Sequence, residues 1–179
     1  MKCSTRMVVL PFILVVAFSS LGLSAEQQAA AEAKPFRTAE GVVRELYRLV
    51  TVKAGANPDW EKVRSLFLKN AVIALRTSPD NATVFSVQGF VDDFVAFNER
   101  AQVKETGFSE RVVRLKATVS GDIAHVLVLY EASIPGSPRP PQRGVDSFQL
   151  IREDGRWWIV AVTNDLPSPN NPIPQELQK

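Results

Sequence analysis

Arg143-Gly144-Val145-Asp146-Ser147-Phe148-Gln149-Leu150-Ile151-Arg152 runs through Glu153-Asp154-Gly155 into Arg156-Trp157-Trp158-Ile159-Val160-Ala161-Val162-Thr163. Two stretches rich in branched and aromatic residues flank an Asp-Gly turn, which is a strong hairpin signal. In the first strand Asp146 alternates in register with Phe148 and Leu150, so it shares their apolar face. In the second, Trp157 and Trp158 point to opposite faces. One enters the core or a pocket. The other, with Val160 and Val162, forms an apolar outer patch.

Working upstream, Ser109 to Val119 alternates, with Val113, Leu115, Ala117 and Val119 on one face and Arg114, Lys116 and Thr118 on the other. Ser120-Gly121-Asp122 turns the chain into Ile123 to Ala132. That stretch is apolar on both faces, as a central strand covered on both sides should be. A Pro-rich loop, Pro135 to Pro141, breaks the sheet before the hairpin. Earlier still, Ala71 to Thr77 and Thr83 to Val87 read as a short hairpin across Ser78-Pro79-Asp80-Asn81.

The spacing predicts three helices ahead of the long strands. Thr38 is an N-cap with Glu40 in the first turn. Val43, Leu46, Tyr47 and Val50 follow at helical spacing, with Arg44, Glu45 and Arg48 facing away. Asn57-Pro58 opens a short second helix with Trp60, Val63 and Phe67 as its buried stripe. The third runs from about Phe90 to Ala101, with Asp92 and Asp93 in its first turn. The class is α+β, with one domain over residues 38–166. A linker precedes it at 26–37, and a Pro-rich extended tail follows at 167–179, strapped along the surface.

The N-terminus reads as a signal peptide over residues 1–25. Lys2 and Arg6 precede an apolar run, Met7 to Leu23, that ends in the small residues Ser24-Ala25. The expected compartment is therefore secreted or periplasmic, with no stable membrane span after cleavage. The alternative is an uncleaved anchor, for which a run broken by Pro11 and Gly22 is short. Of 21 basic residues two lie in the leader, so 19 remain against 19 acidic ones. A formally neutral domain builds no field for phosphate backbones, so nucleic acid is not an expected partner. The only cysteine is Cys3. The domain thus has neither disulfides nor a thiolate nucleophile and must be held by its core.

Asp146 is the candidate catalytic residue. A carboxylate on an apolar face is raised in pKa unless paired, which suits a general base or a ligand anchor. The competing reading places it at the strand end, in water or paired to Arg143. Tyr130 follows Ala124, Val126 and Val128 on one face and reaches either the pocket mouth or the core rim. Tyr47 lies on the buried stripe of the first helix. Tyr47, Tyr130, Asp146 and Trp157 form the expected ligand-binding set. His125, the single histidine, faces away from Tyr130 and has no second histidine to share a metal. Gly-rich phosphate loops and carboxylate clusters at metal spacing are missing from the sequence, so no cofactor or metal is expected. Asn81-Ala82-Thr83 matches a glycosylation sequon, which matters only in a eukaryotic secretory pathway.

Certain stretches carry a resemblance: Glu40-Gly41-Val42-Val43, Asp59-Trp60-Glu61-Lys62-Val63 to Phe67 leading into Ala71-Val72-Ile73, and Gly155-Arg156-Trp157-Trp158-Ile159-Val160. Over roughly residues 38–174 the chain resembles the nuclear transport factor 2-like superfamily, which includes ketosteroid isomerases and SnoaL-type cyclases. Arg143 to Leu150 and Asn171-Pro172-Ile173-Pro174 are similar to exported bacterial members without a settled function. The resemblance implies a cone: a strongly curved antiparallel sheet wrapped on the helices around an apolar pocket. It also implies dimerisation through the outer sheet face. Tyr47 occupies the kind of place where the isomerases keep an oxyanion-binding tyrosine. The isomerases' base, however, has no counterpart in Ala71-Val72-Ile73-Ala74-Leu75-Arg76.

Three functions follow. The first is an exported domain that binds a small apolar ligand without turnover. In the second, Asp146 is the base of an enzyme moving protons on a carbonyl compound, as isomerases, cyclases and dehydratases do, with Tyr47 or Tyr130 as oxyanion donor. The third is an association module whose pocket is filled by its own side chains, such as Phe94 and Phe97. A homodimer through Trp158, Val160 and Val162 is expected.

Overall fold

A computed structural model describes residues 34–78 and 80–178, without the side chains of residues 34, 77 and 78. The leader expected over residues 1–25 and the first part of the linker lie outside the described residues.

Helix α1 spans Ala39–Val50, α2 Trp60–Arg64, α3 Val87–Arg100 and α4 Val103–Thr106. Thr38 caps α1 as expected, its Oγ1 accepting the Gly41 N–H at 3.0 Å. Val43, Leu46, Tyr47 and Val50 are buried. Glu45 departs from the expectation: it is buried, with Arg48 donating to both of its oxygens at 2.6 and 2.7 Å. Ion pairing is what lets a carboxylate sit there. Asp59 caps α2 by accepting the Lys62 N–H at 3.0 Å, and the helix ends before Phe67, which already belongs to the sheet. Ser86 caps α3 through the Gly89 N–H at 3.1 Å, so that helix starts earlier than expected. Asp92 and Asp93 therefore lie beyond its first turn, and Asp92 accepts from Gln88 Nε2 at 2.7 Å instead. The spacing did not predict α4, a single turn.

Six strands follow: β1 Phe67–Ser78, β2 Asn81–Phe85, β3 Ser109–Ser120, β4 Ile123–Ser133, β5 Gln142–Glu153 and β6 Arg156–Asp165. They form one sheet in the order β2-β1-β6-β5-β4-β3. It is mixed rather than purely antiparallel, because β1 and β6 run parallel, with Ile73 opposite Val162.

Single-residue bulges in β3 and β6 reset the alternation beside the core. In β3, Val112 pairs with Tyr130 and Arg114 with Leu129, leaving Val113 extra. In β6, Ile159 pairs with Leu150 and Ala161 with Gln149, leaving Val160 extra. Val113 is therefore turned outward and Val112 packs on the core. Val162, expected outside with Trp158 and Val160, is turned inward and buried.

The inner face of the sheet packs on α1 and α3. Phe148, Leu66, Ile73 and Ile159 are among the fully buried side chains. Each contributes about 1.5–3 kcal/mol relative to an exposed position, which is how a domain without cysteines is held together. Phe94, Phe97 and Phe108 form edge-on contacts beside Val52 and Val103 in a second cluster. The outer face of β4 is covered only in part: Ile123 and His125 are exposed, whereas Leu129 is buried.

Both flanking segments dock. Residues Lys34–Arg37, the last of the segment expected as a linker, form one 3-10 turn, and the Phe36 ring centroid lies 3.8 Å from the Arg156 guanidinium. Arg156 lies 3.9 Å from the Trp158 ring on its other side. In the tail a 3-10 turn, Gln175–Leu177, packs against β3 and β4 and buries Leu177 completely.

Candidate functional site

Between α1, α3 and the inner face of the sheet lies a cavity of about 170 Å³. An engineered apolar cavity of about 150 Å³ admits benzene, so the space suits one ring. Its apolar wall includes Leu46, Val50, Leu75, Phe90, Phe94, Phe148 and Val162. Phe94 lines the space without filling it.

Five polar side chains share that wall: Tyr47, Glu110, Tyr130, Asp146 and Asn164. Asp146 stands on β5 opposite Asn164, in phase with Phe148 and Leu150, and is 9% exposed. It is not paired to Arg143, whose guanidinium instead binds Glu131 at 2.7 Å. The hydroxyl of Tyr47 donates to Asp146 Oδ2. Burial pushes the Asp146 carboxyl up to about 7, against the pull of that hydrogen bond. Tyr47 itself is raised well above its ordinary value, first by burial and then by the Asp146 charge. The Tyr47–Asp146 pair is thus a carboxylate held ready to ionise near neutrality, with its second oxygen left to the cavity.

Tyr130 stands on β4, its ring centroid 6.0 Å from that of Tyr47. It lies directly over Gly144, its partner across the β4–β5 ladder. A Cβ at that position would come within 2.2 Å of the Tyr130 hydroxyl, so only glycine allows the ring to lie there. Asn164 Oδ1 accepts the Arg76 N–H at 2.5 Å, and its side chain pulls the Tyr130 pKa down against the effect of burial. The Tyr130 hydroxyl lies on the cavity wall and can donate its proton to a group bound there. Burial raises the Tyr130 pKa, so the group stays protonated.

Glu110 is the residue that the alternation concealed. The bulge at Val113 brings it into phase with Val112 and Leu115, facing inward. Its backbone is pinned to the end of α1: Thr51 Oγ1 accepts the Glu110 N–H at 3.0 Å and donates to the Glu110 carbonyl at 2.8 Å. Glu110 is half-buried and lines the cavity wall. Burial, then the Asp146 charge, push its carboxyl up to about 8.

No family model matches the chain, and no curated protein matches it. Solved structures do. An NTF2-like protein with a cystatin-like fold from Novosphingobium aromaticivorans is 17% identical, covers 88% of this chain and 99% of its own, and has a TM-score of 0.57. A candidate scytalone dehydratase from the same organism is 13% identical over 80% of this chain and 89% of its own, TM-score 0.54. An NTF2-like protein of unknown function from Pseudomonas putida is 13% identical over 84% and 93%, TM-score 0.55. This chain has the nuclear transport factor 2-like, cystatin-like fold. At these identities the likeness is one of fold.

Within the nuclear transport factor 2-like fold, the expected site set is partly reunited. Tyr47, Tyr130 and Asp146 meet in the cavity. Trp157 does not join them: it is buried in the core five residues before Val162, with the Arg152 guanidinium 5.7 Å from its ring. His125 lies on the outer face, 3.0 Å from Ser147 Oγ, away from the cavity. Leu75 lines the wall on the strand where the isomerases carry their base. Sequence reasoning missed Glu110 and Asn164. The first is hidden by the bulge, and the second lies one residue beyond the expected end of its strand.

Proposed function

We propose that the protein is an exported enzyme that moves a proton at the carbon beside a carbonyl group in a ring-sized compound. The observation that carries this reading is the meeting of Asp146, Tyr47 and Tyr130 at one apolar cavity. Ionised Asp146 takes the carbon-bound proton, and the C–H electron pair becomes the enolate. The Tyr130 hydroxyl donates to the oxygen where that charge develops. Return of the proton to another carbon gives an isomer. Expulsion of a β-hydroxyl, protonated as it leaves, gives a dehydrated product. The structural neighbour described as a candidate scytalone dehydratase supports chemistry of this kind.

Deuterium exchange at the ring carbons of cyclohexanone in heavy water, followed by proton NMR, is the test. The protein should accelerate exchange, and Asp146→Asn should lose at least about 100-fold of that acceleration. Cyclohexanone bound without exchange would favour the second reading, a binder without turnover, which Leu75 in place of a carboxylate supports. Neither binding nor exchange would overturn both.

Export accompanies this proposal through the leader, and self-association through the outer face. With Val162 inside, the outer patch consists of Trp158 and Val160 beside Val72, which is 49% exposed. Sedimentation of wild type against Val160→Glu tests the dimer.

A further inference from the structure

The proton transfer leaves one enclosed carboxyl unused. Glu110 faces the cavity with no hydrogen-bond or ion-pair partner among the described residues, whereas Asp146 has Tyr47. None of the residues lining the cavity is a lysine, arginine or histidine. The nearby cations are engaged elsewhere: Arg76 lies 3.5 Å from Asp165, and Arg111 and Arg143 both bind Glu131. The two hydrogen bonds from Thr51 fix the Glu110 backbone beside the cavity.

We propose that Glu110 anchors a protonated amine, so that the compound taken into the cavity is a ring-sized carbonyl compound bearing a basic nitrogen. The carbonyl part rests on the proton-transfer reading above; the amine part rests on the charge census of the cavity. An anionic ligand would add a negative charge beside two carboxyl groups in an apolar space. A neutral ligand leaves Glu110 without a counter-charge, and Glu110 then keeps its proton. A cation alone lets both carboxyls ionise. Its approach is favoured by Tyr47, Tyr130 and Phe148, aromatic residues of the cavity wall beside Asp146. Binding of the amine then releases the Glu110 proton to solvent.

Titration of the purified protein with benzylamine, benzyl alcohol and benzoate, three probes of one shape and different charge, tests this. Benzylamine should bind at least about tenfold tighter than benzyl alcohol. Benzoate should bind more weakly than either. The heat of benzylamine binding should change with the ionisation heat of the buffer, as proton release requires. In the near-isosteric Glu110→Gln variant, the preference for the amine should shrink to within about threefold. Benzyl alcohol binding as well as benzylamine to the wild type would overturn the inference while leaving proton transfer on a neutral substrate intact. Amine preference surviving in Glu110→Gln would remove Glu110 from the role. If none of the three binds and cyclohexanone exchange is also missing, the cavity reading fails as well.

Discussion

Tyr47 works against the burial of Asp146. Its hydroxyl hydrogen-bonds the ionised carboxylate and lowers a pKa that burial alone would carry higher. Tyr47→Phe should therefore move the acidic limb of the exchange rate, near pH 7 in the wild type, to higher pH. At pH 7 the variant should be slower by about tenfold, and a pH–rate profile of the two proteins shows it. Gly144 makes a second test at this scale. Gly144→Ala places a methyl where the Tyr130 ring lies, so the ring must swing into the cavity. The cost in a denaturant titration should be about 1–3 kcal/mol, with loss of ring-sized ligands. An unchanged midpoint would mean that the ring has another place to go.

Among the elements, the strands were the most legible. Four long stretches bounded by Gly, Pro and Asp turns came out within a residue or two of β3 to β6, because alternation and turn chemistry agreed there. The bulges were not legible. Val113 is the second of two valines between Arg111 and Arg114, Val160 lies inside an apolar run, and nothing local marks either as the extra residue. Counting every second residue across Val113 sends Glu110 outward with Arg114 and Lys116, and counting across Val160 sends Val162 outward. That is why the alternation points Glu110 and Val162 away from the cavity, while Asp146, on the unbroken β5, is legible as inward-facing. The prolines of the tail predict a surface strap, but nothing in the sequence distinguishes its anchor, Leu177, from any other leucine. Leu177→Ala should cost about 2 kcal/mol or more, read as a lower melting temperature, because the site beneath is fully closed.

For the whole molecule, the carboxyl pair links stability to pH. Asp146 and Glu110 titrate near 7 and 8 in the folded state, against roughly 4 in an unfolded chain. Between those values the native state holds more protons than the unfolded one, so stability falls as pH rises from about 4.5 to 8 and then levels. Melting temperatures across that range should decline, and Asp146→Asn should flatten part of the decline; a rising curve would mean the pair is ionised in the native state. Glu131 titrates lower than usual because of Arg143 and Arg111, so its own effect falls below this window. The parallel pairing of β1 with β6 has a further consequence, for the order of events in synthesis. Strand β1 has only β2 beside it until residues 159–163 exist, so a growing chain cannot close its core before its last strand has been made. A nascent chain of this topology stays a threadable, unclosed polymer for most of its synthesis, which is the condition that the proposed export would require.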